Sequence, residues 1–196
     1  MITSGFFKGD LAYTGVELRP HFLLSRFGLK GSAVGAFAGP CSVKTEHLVD
    51  WEDRLENDRI EAALMLHFIG EFFGVLLREG VLMQRLFMSI AGEEIERAAG
   101  RVSVPARFGR IERRGDDLFA LGRKLSVSIV TASPVSVLMH AGINIDPSGA
   151  PVPAVGLGEL GFETGAIEPL ARGIMERFAA EARSIDWACA KVRPVV

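Results

Sequence analysis

Runs of apolar residues separated by polar turns predict a chain of both strands and helices. Residues 62–73 form a continuous apolar run whose length allows either a strand or a helix, and we predict a central strand. Residues 32–37 are small and apolar and are bounded by glycine and by Gly39-Pro40, which is typical of a buried strand. We predict a further strand over residues 6–13.

Helical spacing is clearest over residues 81–99, with Gly100 as the predicted C-terminal cap. The apolar residues that approximate one face of this helix are Leu82, Leu86, Ile90 and Ile95. The apolar spacing over residues 167–184 predicts a last helix, and we predict a short helix from about residue 18 to Gly28. Residues 45–57 are rich in acids and predict a short helix or an ordered loop.

Strand patterns dominate the stretch 107–145, before a loop rich in proline and glycine. Residues 108–113 lead to a turn, residues 125–129 alternate, and residues 135–145 return after a break at Ser133-Pro134. Strands mixed with a few helices, without regular alternation, predict an α+β fold: a mixed, largely antiparallel sheet packed with a few helices. The length of 196 residues favours a single domain over residues 1–196.

Composition narrows the classes of function. The chain is 48% hydrophobic with a net charge of −2, and its cations are dispersed, so we expect no nucleic-acid partner bound through a basic field. Its most apolar stretch contains His67 and Glu71 and is too short for a bilayer span, so we expect no membrane partner. Two distant cysteines and an N-terminus without a secretory pattern predict a reducing cytoplasm. Edge strands of an open sheet would allow a homodimer.

The segment from Asp116 to Asn144 carries the clearest chemistry. Asp116-Asp117 precede a turn, and Lys124 follows it at a strand start, so this lysine could bind a phosphate or an acyl-adenylate. The acids could orient Lys124, bind a ligand hydroxyl or hold Mg²⁺. The alternatives are a surface lysine after a hairpin and ordinary turn chemistry, and each is favoured when its residues are considered alone.

The return strand adds His140, Gly142 and Asn144. His140 could bind substrate or relay a proton, but a buried structural histidine is the more common case. Gly142 would permit close approach of a ligand, or mark a bulge, and Asn144 would offer an amide, or end the strand.

Other polar groups give weaker indications of a site. His47, Asp50, Glu52 and Asp53 could bind a metal, but their spacing favours a solvated acidic face, so we predict no metal site. Gln84-Arg85 could reach an anion from the start of a helix, although such an arginine usually lies on the surface. The chain has no Gly-x-Ser-x-Gly, Walker or Gly-x-Gly-x-x-Gly motif after a strand.

Three short motifs together resemble the catalytic half of biotin and lipoate protein ligases. They are Asp116-Asp117-Leu118, Arg123-Lys124-Leu125 and Gly142-Ile143-Asn144. The resemblance implies a ligase-like fold, with Lys124 and Asp117 as catalytic residues, ATP and Mg²⁺ as possible cofactors and a small-molecule ligand. It places ligand contacts at seven further positions: Asp116, Arg123, Ser126, Ser128, His140, Gly142 and Asn144.

A wider resemblance links most of the chain to domain of unknown function 366, which brings no established activity. It is carried by residues 18–22, 39–41, 65–68 and 123–129. The chain departs from the ligases because it lacks their Gly-Arg-Gly-Arg-x-Gly loop, and because Ser126-Val127 replaces a small Ala-Gly step. The sequence therefore leaves the identity of the ligand open among lipoate, another carboxylate and a nucleotide-like molecule.

Three functions compete at this point. The first is a ligase or transferase-like enzyme that handles a carboxylate or its nucleotide adduct through Lys124. The second is a non-catalytic small-molecule binding protein on the same scaffold, since the missing loop would leave an adenylate exposed to water. The third is an enzyme of modified-base or pterin metabolism that uses Asp116, Asp117 and His140 as acid-base groups.

Overall fold

A five-stranded sheet forms the centre of the protein in a computed structural model that describes residues 1–100 and 110–195. Its strands are β1 (Thr3–Phe6), β2 (Ala33–Val43), β3 (Ile60–Phe72), β7 (Ser126–Ala132) and β8 (Val137–Asp146). They lie in the order β1-β2-β3-β8-β7, with β1 parallel to β2 and every other pair antiparallel. The predicted α+β fold with a mixed, largely antiparallel sheet is confirmed.

A small three-stranded sheet carries the acid pair and the lysine. It consists of β4 (Glu112–Arg114), β5 (Asp117–Ala120) and β6 (Arg123–Lys124), all antiparallel. The tight turn between β5 and β6 has positive φ at Leu121 (53°) and Gly122 (73°), a conformation in which glycine is unstrained. Of the strand predicted over residues 108–113, residues 108 and 109 lie outside the described part.

Four α-helices are described: α1 (Phe22–Phe27), α2 (Trp51–Leu55), α3 (Leu77–Ala99) and α4 (Thr164–Ala190), with a 3-10 turn at Thr45–His47. The two long helices pack together against one face of the large sheet. Their core includes Phe87 and Phe178, whose rings meet edge to face at 5.2 Å. No helix in the described ranges has the length and apolar composition needed to cross a bilayer.

The two faces of the sheet bury different residues because successive side chains of a strand point to opposite sides. On β3, Leu66 and Phe68 belong to the core under α3 and α4, whereas Met65 and Ile69 pack in a second, smaller core. This second core lies under α1 and the N-terminal loop. His67 alternates with the same set and therefore lies on this opposite face.

The predicted ends of two strands were wrong. β2 does not stop at residue 37 but continues through Gly39-Pro40 to Val43. A register shift between Gly39 and Cys41 accommodates Pro40, whose missing N–H would otherwise interrupt the ladder. The strand expected over residues 6–13 instead spans Thr3–Phe6, and the chain turns away at Gly9 (φ 141°).

The helices also differ from prediction at their ends. α3 begins four residues earlier than expected, and Leu82 is exposed rather than part of the buried face. Gly100 does cap the helix, but in a right-handed conformation (φ −68°). α1 begins only at Phe22 and ends before Gly28, as predicted. α4 extends beyond both predicted ends, and residues 45–57 contain both the 3-10 turn and α2.

Candidate functional site

A cavity of about 240 Å³ opens on the face of the sheet opposite α3 and α4. Residues of β3, β7 and β8 line it, together with the β5–β6 hairpin and the segments 48–61 and 150–154. Ile60, Met65, Val127 and Ile129 are its apolar sheet residues. Of the residues proposed from sequence, Asp116, Asp117, Lys124, Ser128, His140 and Asn144 line this one cavity.

Lys124 is the cationic residue of the hairpin wall. Its Nζ lies 2.9 Å from Oδ2 of Asp117, and both side chains are partly buried. The antiparallel pairing of β5 with β6 explains the contact, because it places Lys124 opposite Phe119 and so brings the start of β5 within reach. Burial raises the pKa of Asp117, and the charge of Lys124 opposes that rise. The ammonium is thus held in the cavity wall by a neighbouring carboxylate.

Asp116 faces the other way, toward α3. Its carboxylate accepts a hydrogen bond from Nε2 of Gln84 at 3.1 Å and lies 3.3 Å from Nη1 of Arg85. The same Gln84 nitrogen donates to Oγ of Ser128 at 2.8 Å, and that hydroxyl donates to the Asp116 carbonyl at 2.9 Å. These contacts anchor the turn before β5 to the helix and to β7. The Gln84-Arg85 pair therefore binds a carboxylate of the chain itself.

His140 lies at the inner end of the cavity and is 2% exposed. Its Nε2 is 3.1 Å from Nδ1 of His67, and Nε2 of His67 is 3.2 Å from the carbonyl oxygen of Gly39. The ring of Tyr13 stacks on His140 at a centroid distance of 3.6 Å. Burial lowers the pKa of His67 to about 4, and burial followed by the proximity of His67 lowers the pKa of His140 well below its ordinary value. The pair is therefore neutral near pH 7.

Three further residues proposed from sequence have clear packing roles. Ser126 is fully buried, and its Oγ accepts the backbone N–H of Leu118 at 2.8 Å, which joins β7 to β5. A Cβ on Gly142 would lie 2.2 Å from Sδ of Met65, so this glycine leaves room for the methionine under the cavity. Asn144 donates from Nδ2 to the carbonyl oxygens of Lys124 and Val155, at 3.4 and 3.3 Å, and lines the cavity as well.

Arg123 lies apart from the other residues proposed from sequence. Its guanidinium forms a salt bridge with Glu159 at 2.9 Å and donates to the carbonyl oxygen of Ala154 at 3.0 Å. Neither Arg123 nor Ser126 nor Gly142 is among the residues that line the cavity. A strand exposes alternate side chains to opposite sides, so adjacent Arg123 and Lys124 meet different surroundings.

The cavity is rich in carboxylates. Six of its lining residues are acidic and two are cationic: Asp50, Asp53, Asp58, Glu61, Asp116 and Asp117 against Arg59 and Lys124. Of these acids, Asp116 turns its carboxylate toward α3. Both cations already have carboxylate partners, since Nε of Arg59 lies 3.2 Å from Oε2 of Glu61. Burial, and then the neighbouring Asp50 and Asp58, raise the pKa of Asp53.

Four of these acids, Asp50, Asp53, Asp58 and Glu61, were not among the site residues proposed from sequence. Asp50 and Asp53 were assigned to a solvated acidic face, but both line the cavity, while His47 and Glu52 do not. The segment that contains Asp50 and Asp53 has no strong helical or strand periodicity, so only its position beside β3 and β7 shows that these acids line the cavity. Over the described ranges, no group of three or more histidines, cysteines or carboxylates is arranged to hold a metal ion.

Comparison with known proteins assigns the chain to a family. The model of DUF366, a domain of unknown function, matches residues 2–193. The chain belongs to the DUF366 family. An uncharacterized protein of Methanocaldococcus jannaschii is 32% identical over 97% of this chain and 84% of its own length.

Solved structures show that the DUF366 fold is shared with biotin protein ligases. A protein of unknown function from Pyrococcus horikoshi matches the whole of both chains with a TM-score of 0.85 and 32% identity. Biotin protein ligase from Aquifex aeolicus, in complex with biotin and ATP, matches 91% of this chain and 69% of its own with a TM-score of 0.57. At 12% identity, the latter likeness concerns the fold alone.

Proposed function

We propose that this DUF366 protein binds a carboxylic acid in the cavity beside Lys124 and activates or transfers it as a nucleotide adduct. The observation that carries the proposal is the position of Lys124, which lies in a cavity wall, 2.9 Å from Asp117, on a scaffold similar to biotin protein ligase. A fixed ammonium stabilises negative charge that develops on a phosphate when the phosphate is held nearby.

The proposed reaction joins the carboxylate to the α-phosphate of ATP. A carboxylate oxygen attacks phosphorus, the bond to the bridging oxygen of the β-phosphate breaks, and pyrophosphate leaves with that electron pair. Lys124 would offset charge on the α-phosphate oxygens, and Asp117 would hold its ammonium in place. No proton transfer is required in this step, because the acid enters as its anion.

Magnesium would enter this reaction with the nucleotide. Asp117 is engaged with Lys124, and Asp116 with Gln84 and Arg85. A Mg²⁺ ion carried by nucleotide phosphates needs only one or two protein carboxylates, and the acid-rich cavity supplies several. Such an ion would also offset the repulsion between these carboxylates and the phosphates.

The test is pyrophosphate exchange into ATP, measured with panels of carboxylic acids. We expect exchange that depends on one class of acid and falls by at least about a hundredfold in Lys124→Ala, as for loss of one transition-state contact. Arg123→Ala is the matched control, because that adjacent cation pairs with Glu159 outside the cavity lining. Equal exchange by wild type and Lys124→Ala would refute the role of Lys124.

A second candidate is binding without catalysis, and the charge of the cavity favours it. Lys124 is already paired, and acids outnumber cations in the lining, so a nucleotide without a divalent cation would be repelled. A thermal-shift screen separates the two candidates, because a ligand that binds only the folded state raises its melting temperature. Stabilisation by metabolites, but never by ATP with Mg²⁺, would favour binding alone.

A further inference from the structure

The hydrogen-bond chain behind the cavity fixes which atom of His140 the ligand meets. The carbonyl oxygen of Gly39 can only accept, so Nε2 of His67 must carry the hydrogen. In the neutral ring Nδ1 of His67 is then an acceptor, and Nε2 of His140 must donate to it. Nδ1 of His140 therefore has a lone pair and no hydrogen.

That lone pair is open to the cavity. No described residue donates to Nδ1 of His140. His140 is among the residues that line the cavity, so a ligand held there would supply the missing donor. Tyr13 covers one face of the ring, so the approach is along the ring edge.

Asn144 provides a second acceptor four residues along β8, on the same face of the strand. Its Nδ2 group donates toward two backbone carbonyl oxygens, those of Lys124 and Val155, and this fixes the orientation of the amide. The other amide atom, Oδ1, has no described partner and belongs to a side chain that lines the cavity. The unoccupied polar atoms of His140 and Asn144 thus both accept hydrogen bonds.

We propose that the inner end of the cavity recognises a nitrogen group rich in N–H donors, such as a guanidine or an amine, through His140 Nδ1, while Asn144 Oδ1, about 13 Å further along the strand, accepts from another part of the ligand. Acids outnumber cations in the lining and favour the cationic form of that group, since the two cations of the lining are already paired. The ligand would be a small organic cation or zwitterion. Only its carboxylate end, directed to Lys124, rests on the function proposed above.

Three probes with a six-carbon chain test the two ends separately by isothermal titration calorimetry: hexanoic acid, 6-guanidinohexanoic acid and hexylguanidine. We expect the guanidino acid to bind wild-type protein at least about tenfold more tightly than hexanoic acid, as for hydrogen bonds from a charged donor. Equal affinities for these two acids would overturn the proposal, and so would an absence of binding by both guanidines. Equal affinities of the guanidino acid and hexylguanidine would instead remove only the carboxylate end.

Variants and spectroscopy assign the effect to His140. His140→Phe keeps a flat ring against Tyr13 but lacks the acceptor, so the preference for the guanidino acid should fall to within about threefold. His47→Phe, an exposed histidine outside the cavity lining, is the control and should keep the preference. Nitrogen-15 NMR of the wild type gives a reading that does not depend on a variant. A His140 ring with its hydrogen on Nδ1 would refute the proposed acceptor.

Discussion

The buried histidine pair should make the protein lose stability in mild acid. Burial lowers the pKa of His67 from 6.5 to about 4, and the pKa of His140 moves in the same direction. In the unfolded chain these histidines have ordinary pKa values, so below about pH 6.5 the unfolded chain binds more protons than the folded protein does. The contribution of the neutral histidine pair to the free energy of unfolding is therefore complete above about pH 6.5 and is lost as the pH falls toward about 4.

The size of the effect follows from the shift at His67. One pKa unit corresponds to about 1.4 kcal/mol, so a fall from 6.5 to about 4 corresponds to about 3 kcal/mol in the free energy of unfolding. The lowered pKa of His140 adds a further loss of stability as the pH falls. Asp53 and Asp117 act in the opposite direction, because their pKa values are raised and the folded protein binds their protons more readily as pH falls.

Urea unfolding followed by circular dichroism between about pH 7.5 and 4.5 measures this dependence. His67→Gln removes one of the two titrating groups, so its stability should fall with a slope shallower by up to about 1.4 kcal/mol per pH unit. The difference between the two slopes cancels contributions from the aspartates. His47→Gln, which replaces an exposed histidine, should match wild type. Identical slopes in wild type and His67→Gln would refute the reasoning.

Three smaller predictions concern packing and thiol chemistry. Gly39→Ala would place a methyl carbon 1.8 Å from the carbonyl oxygen of Leu11, so we expect loss of more than about 3 kcal/mol by urea unfolding; a loss below about 1 kcal/mol would contradict it. Ser126→Ala removes the acceptor of a buried backbone amide and should cost about 1–3 kcal/mol in the same assay. Burial raises the pKa of Cys41 to about 12, whereas Cys189 is exposed. A thiol reagent should therefore label only Cys189 until urea is added.

The elements that were predicted correctly have patterns that depend on local spacing. Residues 62–73 contain apolar side chains at consecutive positions, because both faces of β3 are covered, and the central strand expected there is present. Hydrophobic runs specify such an element without knowledge of its neighbours. The ends of strands carry less information, and β2 shows why: the bulge that admits Pro40 depends on pairing with β3.

The candidate site was predictable in part. Asp117, Lys124, His140 and Asn144 were selected by their order along two neighbouring hairpins, and antiparallel pairing with short turns brings such residues together. The contribution of Asp53 was not predictable in this way, since Asp53 lies in α2, about seventy residues before Lys124 in sequence.

By itself, the sequence determined the order of strands and helices, the hairpin that presents Lys124, and the family, because these follow from spacing and from local residue identity. Only the tertiary structure decided which side chains share the cavity, that acids outnumber cations there, and that His67 fixes the hydrogen of His140. The physical reason is that burial and hydrogen-bond partners depend on the packing of distant segments, and these contacts set both charge and protonation.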